Sequence, residues 1–293
     1  MTGSIKKEKN IYSLWLMAPG MLIYAAFIVL PAIFTLYYSF TNWDFFSAPF
    51  LGLENYKDLL MQPNLNIAFV NSVLFTCVTS VLKIFFGLVL ALFLNMRLKT
   101  RNFLRTAFFL PAVLNTIAVG IIFSAILHPE VGLLNILLRA LHLDFLAQNW
   151  LTDIHLAIFS ICAIDIWKWT GFTMVIFLAG LQSVSLEYYE AAYIDGASTW
   201  QKFKNITFPL IVPTLNNNLF LALAGGLSVF DIVMVTTNGG PGYATEVFNT
   251  VIYRAFGSNL QGEACAGNIL LSLLVALVTL TAYTLIRKKE VEV

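Results

Sequence analysis

The sequence predicts an all-α, polytopic membrane protein with six transmembrane helices. Charged residues make up only 11% of the 293 residues, whereas soluble domains carry about 25%. Hydrophobic residues make up 59%, and the mean hydropathy is +0.79. Long segments with few or no charges recur along the chain, and crossing a bilayer takes about 20 such residues. This composition excludes an ordinary soluble enzyme and a disordered chain, and a net charge of +1 excludes a nucleic-acid-binding protein.

Six apolar segments are the predicted spans. The first contains no Asp, Glu, Lys or Arg, and the others contain few. In chain order they are residues 14–40, 67–95, 106–127, 154–181, 210–237 and 264–286. We therefore expect one transmembrane domain over residues 14–286, with short tails at 1–13 and 287–293. Pro31, Pro111, Pro209 and Pro213 fall near the ends of spans, where a missing N–H is tolerated.

Basic residues predict the orientation of the spans. Twelve of them lie in the two tails and in the loops after the second and fourth spans: Lys6, Lys7, Lys9, Arg97, Lys99, Arg101, Arg105, Lys202, Lys204, Arg287, Lys288 and Lys289. The other loops hold only Lys57, Arg139 and Arg254. By the positive-inside rule, both termini and the two basic loops are cytoplasmic.

The remaining loops, residues 41–66, 128–153 and 238–263, are then exterior. Residues 131–146 have the pattern of a short amphipathic helix along the membrane surface. The three histidines, His128, His142 and His155, are too far apart to share a helix turn, so we predict no metal site.

The loop after the fourth span, residues 183–209, predicts a helical hairpin. Good helix formers from Glu187 onward are followed by Gly196, which can take the positive φ that ends a helix. Ser198 and Gln201 have the spacing of a capping box that opens a second helix, which Pro209 ends. A structured hairpin between two spans is suited to a groove on a cytoplasmic partner.

This hairpin carries a recognisable spacing: Glu190-Ala191-Ala192, three residues, Gly196, nine residues, Ile206, two residues, Pro209. It resembles the EAA signature of binding-protein-dependent ABC importer permeases, with Phe208 in place of the usual leucine. Asp195 and Ala197 extend it to the form typical of the carbohydrate branch. Two other motifs are similar to that branch, Phe109-Leu110-Pro111 opening the third helix and Asn238-Gly239-Gly240-Pro241 after the fifth. The last one resembles the first of the two permease subunits of maltose- and glycerol-phosphate-type systems.

The resemblance implies a type I importer fold in a prokaryotic inner membrane. A second permease would complete the translocation pathway, two ATPase subunits would hold ATP and Mg²⁺, and an extracytoplasmic solute-binding protein would deliver a carbohydrate. The chain itself would be no enzyme and would bind no cofactor, and the sequence lacks a G-x-x-x-x-G-K-[S/T] phosphate-binding motif. The residues implied in coupling to the ATPase are Glu190, Ala191, Ala192, Asp195, Gly196, Ile206 and Pro209.

Two charges in the fourth span mark a candidate substrate pathway. Asp165 and Lys168 lie mid-span, where an ionisable residue costs about 2.5–3.5 kcal/mol to insert. Their spacing of three allows them to pair on one helix face, and Trp169 and Phe172 extend that face. An acid, a base and two aromatic rings suit a sugar, and in the resembled maltose-type permease the equivalent offsets line the sugar site. The alternative is an ion pair that joins helices or faces the second permease.

The fifth span offers a companion stripe of small residues: Ala222, Gly225, Gly226 and Val229. In the family that the chain resembles, the positions equivalent to these residues contact the sugar. Small residues there either widen a cavity for a bulky substrate, or let helices pack closely or break.

Other polar residues in the spans have structural interpretations. Lys83 in the second span is expected to snorkel or to pair. Asp231 is expected to cap a helix or pair at the subunit interface, and Asn216, Asn217 and Asn218 to hydrogen-bond to neighbouring helices.

Two other classes of function are weaker. A membrane-embedded enzyme would need converging catalytic groups, but the sequence has no HExxH and no GxSxG, and the one histidine in a predicted span, His155, is at the very start of the fourth. A scaffold or receptor would not require the EAA spacing. Within the importers, the alternative to a carbohydrate is another solute, such as a phosphorylated polyol.

Overall fold

The computed structural model describes residues 17–96 and 98–287. Its four longest helices are α1 (Ala18–Tyr38), α3 (Pro63–Asn95), α7 (Ala157–Ser183) and α13 (Gln261–Arg287). The shorter ones are α2 (Glu54–Met61), α4 (Arg101–Val113), α5 (Thr116–Ile126), α6 (Leu133–Ala140), α8 (Leu186–Ile194), α9 (Thr199–Leu210), α10 (Val212–Leu227), α11 (Asp231–Thr236) and α12 (Phe248–Gly257). The predicted tail at residues 1–13 and most of the tail at 287–293 lie outside the described residues.

The four longest helices are apolar enough to cross a membrane, and the number rises to six if each of two bent pairs counts as one span. Within the described ranges, the isolated bridge between Thr41 and Phe50 is the one extended pairing. The predicted all-α membrane fold is confirmed.

Helices α3 and α7 form the centre of the bundle. Gly87 on α3 lets them approach closely, because a Cβ there would lie 2.6 Å from the Thr173 methyl group of α7. Helix α10 packs against α3, α4 packs against α7, and α2 and α12 pack against α13. An apolar core at one end of the central pair consists of Ala91, Leu94, Met174, Phe177, Leu178, Leu181 and Ile211. A second core, around Phe75, Ile161 and Val233, lies towards the other end.

The prediction of the third span as a single helix is wrong. The chain breaks between α4 and α5, which meet at 94°. Leu114 is extended at the break, and the Asn115 side chain caps α5 by accepting from the N–H groups of Ile117 and Ala118 at 2.8 and 3.3 Å. Pro111 does not open the helix but lies near the end of α4. The side chain of Asn115 satisfies amides that a bend would otherwise leave unpaired.

The predicted fifth span is also interrupted. Helix α10 ends at Leu227, and α11 starts at Asp231 after a short non-helical stretch. The Asn249 amide of α12 donates to the carbonyl of Ser228 at 2.9 Å, so the break is bonded to a neighbouring helix. Asp231 lies exposed in the first turn of α11, where the helix dipole favours an acid.

The predicted surface helix over residues 131–146 is present but shorter. Helix α6 ends at Ala140, and a single 3₁₀ turn follows at Asp144–Leu146. His142 between them has a φ of 57°, which interrupts the helix.

The contact between α4 and α7 requires a glycine, which gives a first prediction. A Cβ on Gly171 would overlap the Phe108 carbonyl and lie 3.0 Å from the Cα of Phe109. Gly171→Ala should therefore destabilise the protein by about 1–3 kcal/mol, the usual effect of overpacking. Thermal unfolding in detergent measures the effect.

Gly225→Ala is the matched control, because a Cβ there meets nothing within 4 Å. It should leave the melting temperature unchanged or raise it slightly, since alanine favours a helix. Equal stability of the two variants would contradict the close contact at Gly171.

Candidate functional site

A cavity of about 270 Å³ lies where α3, α7 and α10 converge. Helix α7 contributes its middle turns and α10 one continuous face, with residues at i, i+3, i+4 and i+7. The lining residues are Lys83, Asp165, Trp169, Phe172, Thr173, Asn218, Leu221, Ala222 and Gly225. The sequence placed five of these on a candidate pathway: Asp165, Trp169, Phe172, Ala222 and Gly225.

Asp165 is paired with Lys83 of α3. The Lys83 Nζ lies 2.9 Å from an Asp165 carboxylate oxygen, and both side chains are buried. The predicted pair of Asp165 with Lys168 on the same helix is wrong, whereas the expectation that Lys83 pairs is confirmed. Spacing along one helix could not identify the partner, because the ammonium group that reaches Asp165 belongs to another span.

Lys168 has a different role and does not line the cavity. Its ammonium group donates to the carbonyls of Leu114, Ala112 and Pro111 at 2.6, 3.4 and 3.5 Å. These carbonyls are at the carboxyl end of α4, where intrahelical N–H partners run out, although that of Pro111 also accepts from the N–H of Leu114 at 3.3 Å. Lys168 thus closes the break between α4 and α5, and it also lies 4.6 Å from the centre of the Trp169 ring.

The two aromatic side chains form one wall of the cavity. The rings of Trp169 and Phe172 meet edge to face, with their centres 6.0 Å apart. Both remain partly exposed, so the wall has free aromatic surface.

Both interpretations of the small residues of the fifth span apply, because some of them line the cavity and others pack against neighbouring parts of the protein. Ala222 and Gly225 line the cavity, and a Cβ added at Gly225 would meet no atom within 4 Å. Gly226 faces α3 instead, because a Cβ there would lie 2.9 Å from the Thr76 methyl group. Val229 is buried in the apolar core around Phe75. The stripe therefore widens a cavity at one edge and allows close packing at the other.

The sequence did not assign Lys83, Thr173, Asn218 or Leu221 to the cavity. For Lys83 a signal existed, since intramembrane charges of opposite sign normally pair. Asn218 is buried, and its amide nitrogen has no hydrogen-bond partner among the described residues. Its place on the cavity wall depends on the rotation of α10, which the sequence does not fix.

The hairpin of α8 and α9 agrees with its predicted local structure. Gly196 has a φ of +71°, and the N–H groups of Gly196 and Ala197 bond to the carbonyls of Tyr193 and Ala192, the Schellman pattern. Ser198 and Gln201 form the expected capping box. The two arms are joined by a 2.9 Å hydrogen bond between the hydroxyl groups of Tyr189 and Thr207.

Pro209 does not end the second arm. Helix α9 contains a π-helical turn at Phe203–Thr207 and continues to Leu210. Pro209 lies in the first turn after this π-helical segment, where its missing N–H is tolerated.

The hairpin presents a continuous outer surface. Glu190, Ala191, Asp195 and Gly196 are exposed, whereas Ala192 and Thr207 face inward. Large apolar side chains are also exposed beside them: Leu186 (73%), Tyr193 (77%), Ile194 (84%) and Trp200 (68%). Exposed apolar groups around an acid are typical of a protein–protein interface.

The Asn238-Gly239-Gly240-Pro241 motif forms a tight loop at the opposite end of α10 and α11. The buried carboxylate of Glu246 accepts from Arg254 Nε at 3.0 Å and lies against Gly239, where a Cβ would overlap it. Gly239 also has a φ of +80°. Glycine is therefore required there by both space and backbone conformation.

A family model described as "Binding-protein-dependent transport system inner membrane component" matches residues 83–290. The match includes the ion pair, the hairpin and the loop motif.

Curated proteins are similar over nearly the whole chain. The trehalose/maltose transport system permease protein MalF of Thermococcus litoralis is 34% identical over 277 residues, 94% of this chain and 93% of that protein. The multiple sugar-binding transport system permease protein MsmF of Streptococcus mutans is 32% identical over 98% of this chain and 100% of its own length. A crystal structure of a bacterial ABC transporter involved in the import of the acidic polysaccharide alginate matches with a TM-score of 0.81 and 25% identity, covering 94% of this chain and 96% of its own.

The ion pair between α3 and α7 gives a second prediction. Asp165→Asn and Lys83→Met should each destabilise the protein by about 3–5 kcal/mol, because each leaves a buried charge without its partner. The double variant should recover much of that loss. Detergent thermal unfolding of the four proteins in this cycle measures the coupling.

Lys168→Met is the matched control, since it removes a neighbouring lysine that bonds to carbonyls instead. Its coupling to Asp165→Asn should be smaller than that of Lys83→Met. A larger coupling between positions 165 and 168 would show that the pairing is within α7.

Proposed function

The chain belongs to the binding-protein-dependent transport system inner membrane components, and from this membership we propose that it is the permease subunit of an ATP-driven carbohydrate importer. The names of relatives that match most of the chain support a sugar as the substrate, since they include starch degradation products, multiple sugars, trehalose/maltose and arabinooligosaccharides.

The cavity between α3, α7 and α10 is the observation that carries this proposal. Its chemistry suits a sugar ring: Asp165 accepts from hydroxyl groups, Lys83 and Asn218 donate to them, and Trp169 offers a flat face. The sequence analysis identified one stripe of residues on the fourth span and another on the fifth, and residues from both line this cavity. We propose that Asp165, Trp169, Phe172, Ala222 and Gly225 contact the substrate as it crosses, whereas Lys168, Gly226 and Val229 support their positions.

The cavity is one half of a pathway in this proposal. Phe172 and Leu221 are 37% and 46% exposed, which leaves one side of the cavity open. A second, unlike permease subunit would close that side. A solute-binding protein would deliver the substrate at the exterior end, near the Asn238–Pro241 loop.

The hairpin is proposed as the contact with the ATPase subunits, which hold ATP and Mg²⁺. Glu190, Ala191, Ala192, Asp195, Gly196, Ile206 and Pro209 build or present its surface. Glu190 would meet a basic residue of the ATPase, and the exposed apolar groups would enter its groove. Both termini and this hairpin are then cytoplasmic, in agreement with the distribution of basic residues.

The aromatic wall gives a third prediction. Trp169→Ala removes a flat surface from the cavity and should lower the rate of sugar uptake at least about tenfold, since stacking contacts of this size are worth about 1–3 kcal/mol. Uptake of labelled sugar by proteoliposomes that contain the complete transporter measures the effect. Binding of sugar to the isolated solute-binding protein should be unchanged.

Trp167→Ala is the matched control on the same helix. Trp167 does not line the cavity, and its ring packs edge to face against Phe123. Its replacement should leave uptake within about twofold of the unmodified protein. If both variants transport at the unmodified rate, the cavity is not the substrate pathway.

The hairpin gives a fourth prediction. Glu190→Lys reverses the charge at the proposed contact and should uncouple ATP hydrolysis from transport, with uptake reduced about tenfold or more while the bundle stays folded. Glu187→Lys, also exposed on α8, is the control and should retain most of the uptake. Unmodified rates of uptake and sugar-stimulated ATP hydrolysis in Glu190→Lys would contradict the coupling role.

A further inference from the structure

The net charge of the cavity is set by two residues. Among the described residues that line it, Lys83 and Asp165 carry the only full charges, and they lie 2.9 Å apart. Both are more than nine-tenths buried, with 6% and 8% of their surface exposed. The two charges cancel, so the lining of this cavity carries no net charge.

A second buried lysine lies close by but cannot serve as a free cation. Lys168 is one turn from Asp165 on α7, yet its ammonium group donates to three backbone carbonyls at the break between α4 and α5. It is also not among the cavity-lining residues. Its positive charge is used to hold the protein together and not to attract a solute.

The groups that remain available for a ligand favour hydroxyl groups. The Asn218 amide nitrogen is buried beside the cavity and has no hydrogen-bond partner in the described chain, so its N–H groups are unused. A sugar hydroxyl can accept from Asn218 or Lys83 and donate to Asp165. A carboxylate or a doubly ionised phosphate group has no proton for Asp165 and meets an ammonium group that is already neutralised. Because the ion pair has no net charge, it does not compensate for the water that such an anion loses on entering this poorly solvated site.

Resting on the proposed function, we propose that the Lys83–Asp165 pair makes this half of the pathway selective for neutral saccharides over acidic ones. The relatives do not settle this question by name, because trehalose and maltose are neutral whereas alginate is acidic. The proposal also disfavours the phosphorylated polyol that the sequence alone left open.

The test measures binding to the complete transporter in nanodiscs without the solute-binding protein, so that the selectivity of that protein does not enter. The probes are maltotriose, which is neutral, and trigalacturonate, which carries carboxylates, and calorimetry gives both dissociation constants. We expect the unmodified transporter to prefer maltotriose about tenfold or more.

Two variants change the charge in different ways. Asp165→Asn frees the ammonium group of Lys83, and Leu221→Lys adds a cation at a half-exposed position while the ion pair stays intact. Each should lower the preference for maltotriose about tenfold or reverse it. Leu221→Lys decides the question if Asp165→Asn fails to assemble, and Leu221→Gln is its uncharged control, expected to keep the original preference.

The outcomes separate this inference from the proposed function. Equal binding of both probes by the unmodified transporter, or an unchanged preference in Leu221→Lys, would overturn the inference. After either of these results, loss of maltotriose binding in the Trp169→Ala variant would still support the proposed sugar pathway. If neither trisaccharide binds in a way that depends on Trp169, the proposed function fails, and the inference with it.

Discussion

The salt bridge between Lys83 and Asp165 fixes how the two central helices meet. Without its partner, each residue would be an unpaired charge buried inside a membrane bundle. The free-energy cost of burying that charge is offset when α3 and α7 bring the ammonium and carboxylate groups within 2.9 Å of each other. The two helices also approach closely where Gly87, one turn after Lys83, meets Thr173, two turns after Asp165. The cavity, its neutral charge and the position of Trp169 all depend on this pairing.

The cost of leaving backbone polar groups unpaired in a bilayer also explains how the broken spans are built. A bend of 94° between α4 and α5 exposes carbonyls and amides at depth. Lys168 binds the carbonyls and Asn115 binds the amides, so the break is satisfied from both sides. The second break, after Leu227, is bonded by Asn249 of α12. Polar residues that look like pathway groups in the sequence can thus be structural.

The cavity and the hairpin are connected by the helices that form them. From Trp169, α7 continues without a break to Ser183, roughly 21 Å at 1.5 Å per residue, and leads into α8. The second arm of the hairpin then leads into α10, which carries Asn218 and Ala222 to the opposite wall. Apart from the extended residues Val184 and Ser185 and a 62° bend between α9 and α10, the hairpin is joined to both walls by helix. This arrangement gives a physical route between the proposed ATPase contact and the proposed substrate cavity.

The sequence by itself determined the features that are local in the chain. Low charge and long apolar segments gave the membrane fold, and the spacing of Gly196, Ser198 and Gln201 gave the hairpin with its caps. Five of the cavity residues were identifiable because helical periodicity places side chains on a common face. Only the tertiary structure decided which lysine pairs with Asp165, where the third and fifth spans break, and which edge of the small-residue stripe faces the cavity. These features depend on contacts between helices distant in sequence, and helical periodicity contains no information about the relative rotation of two helices.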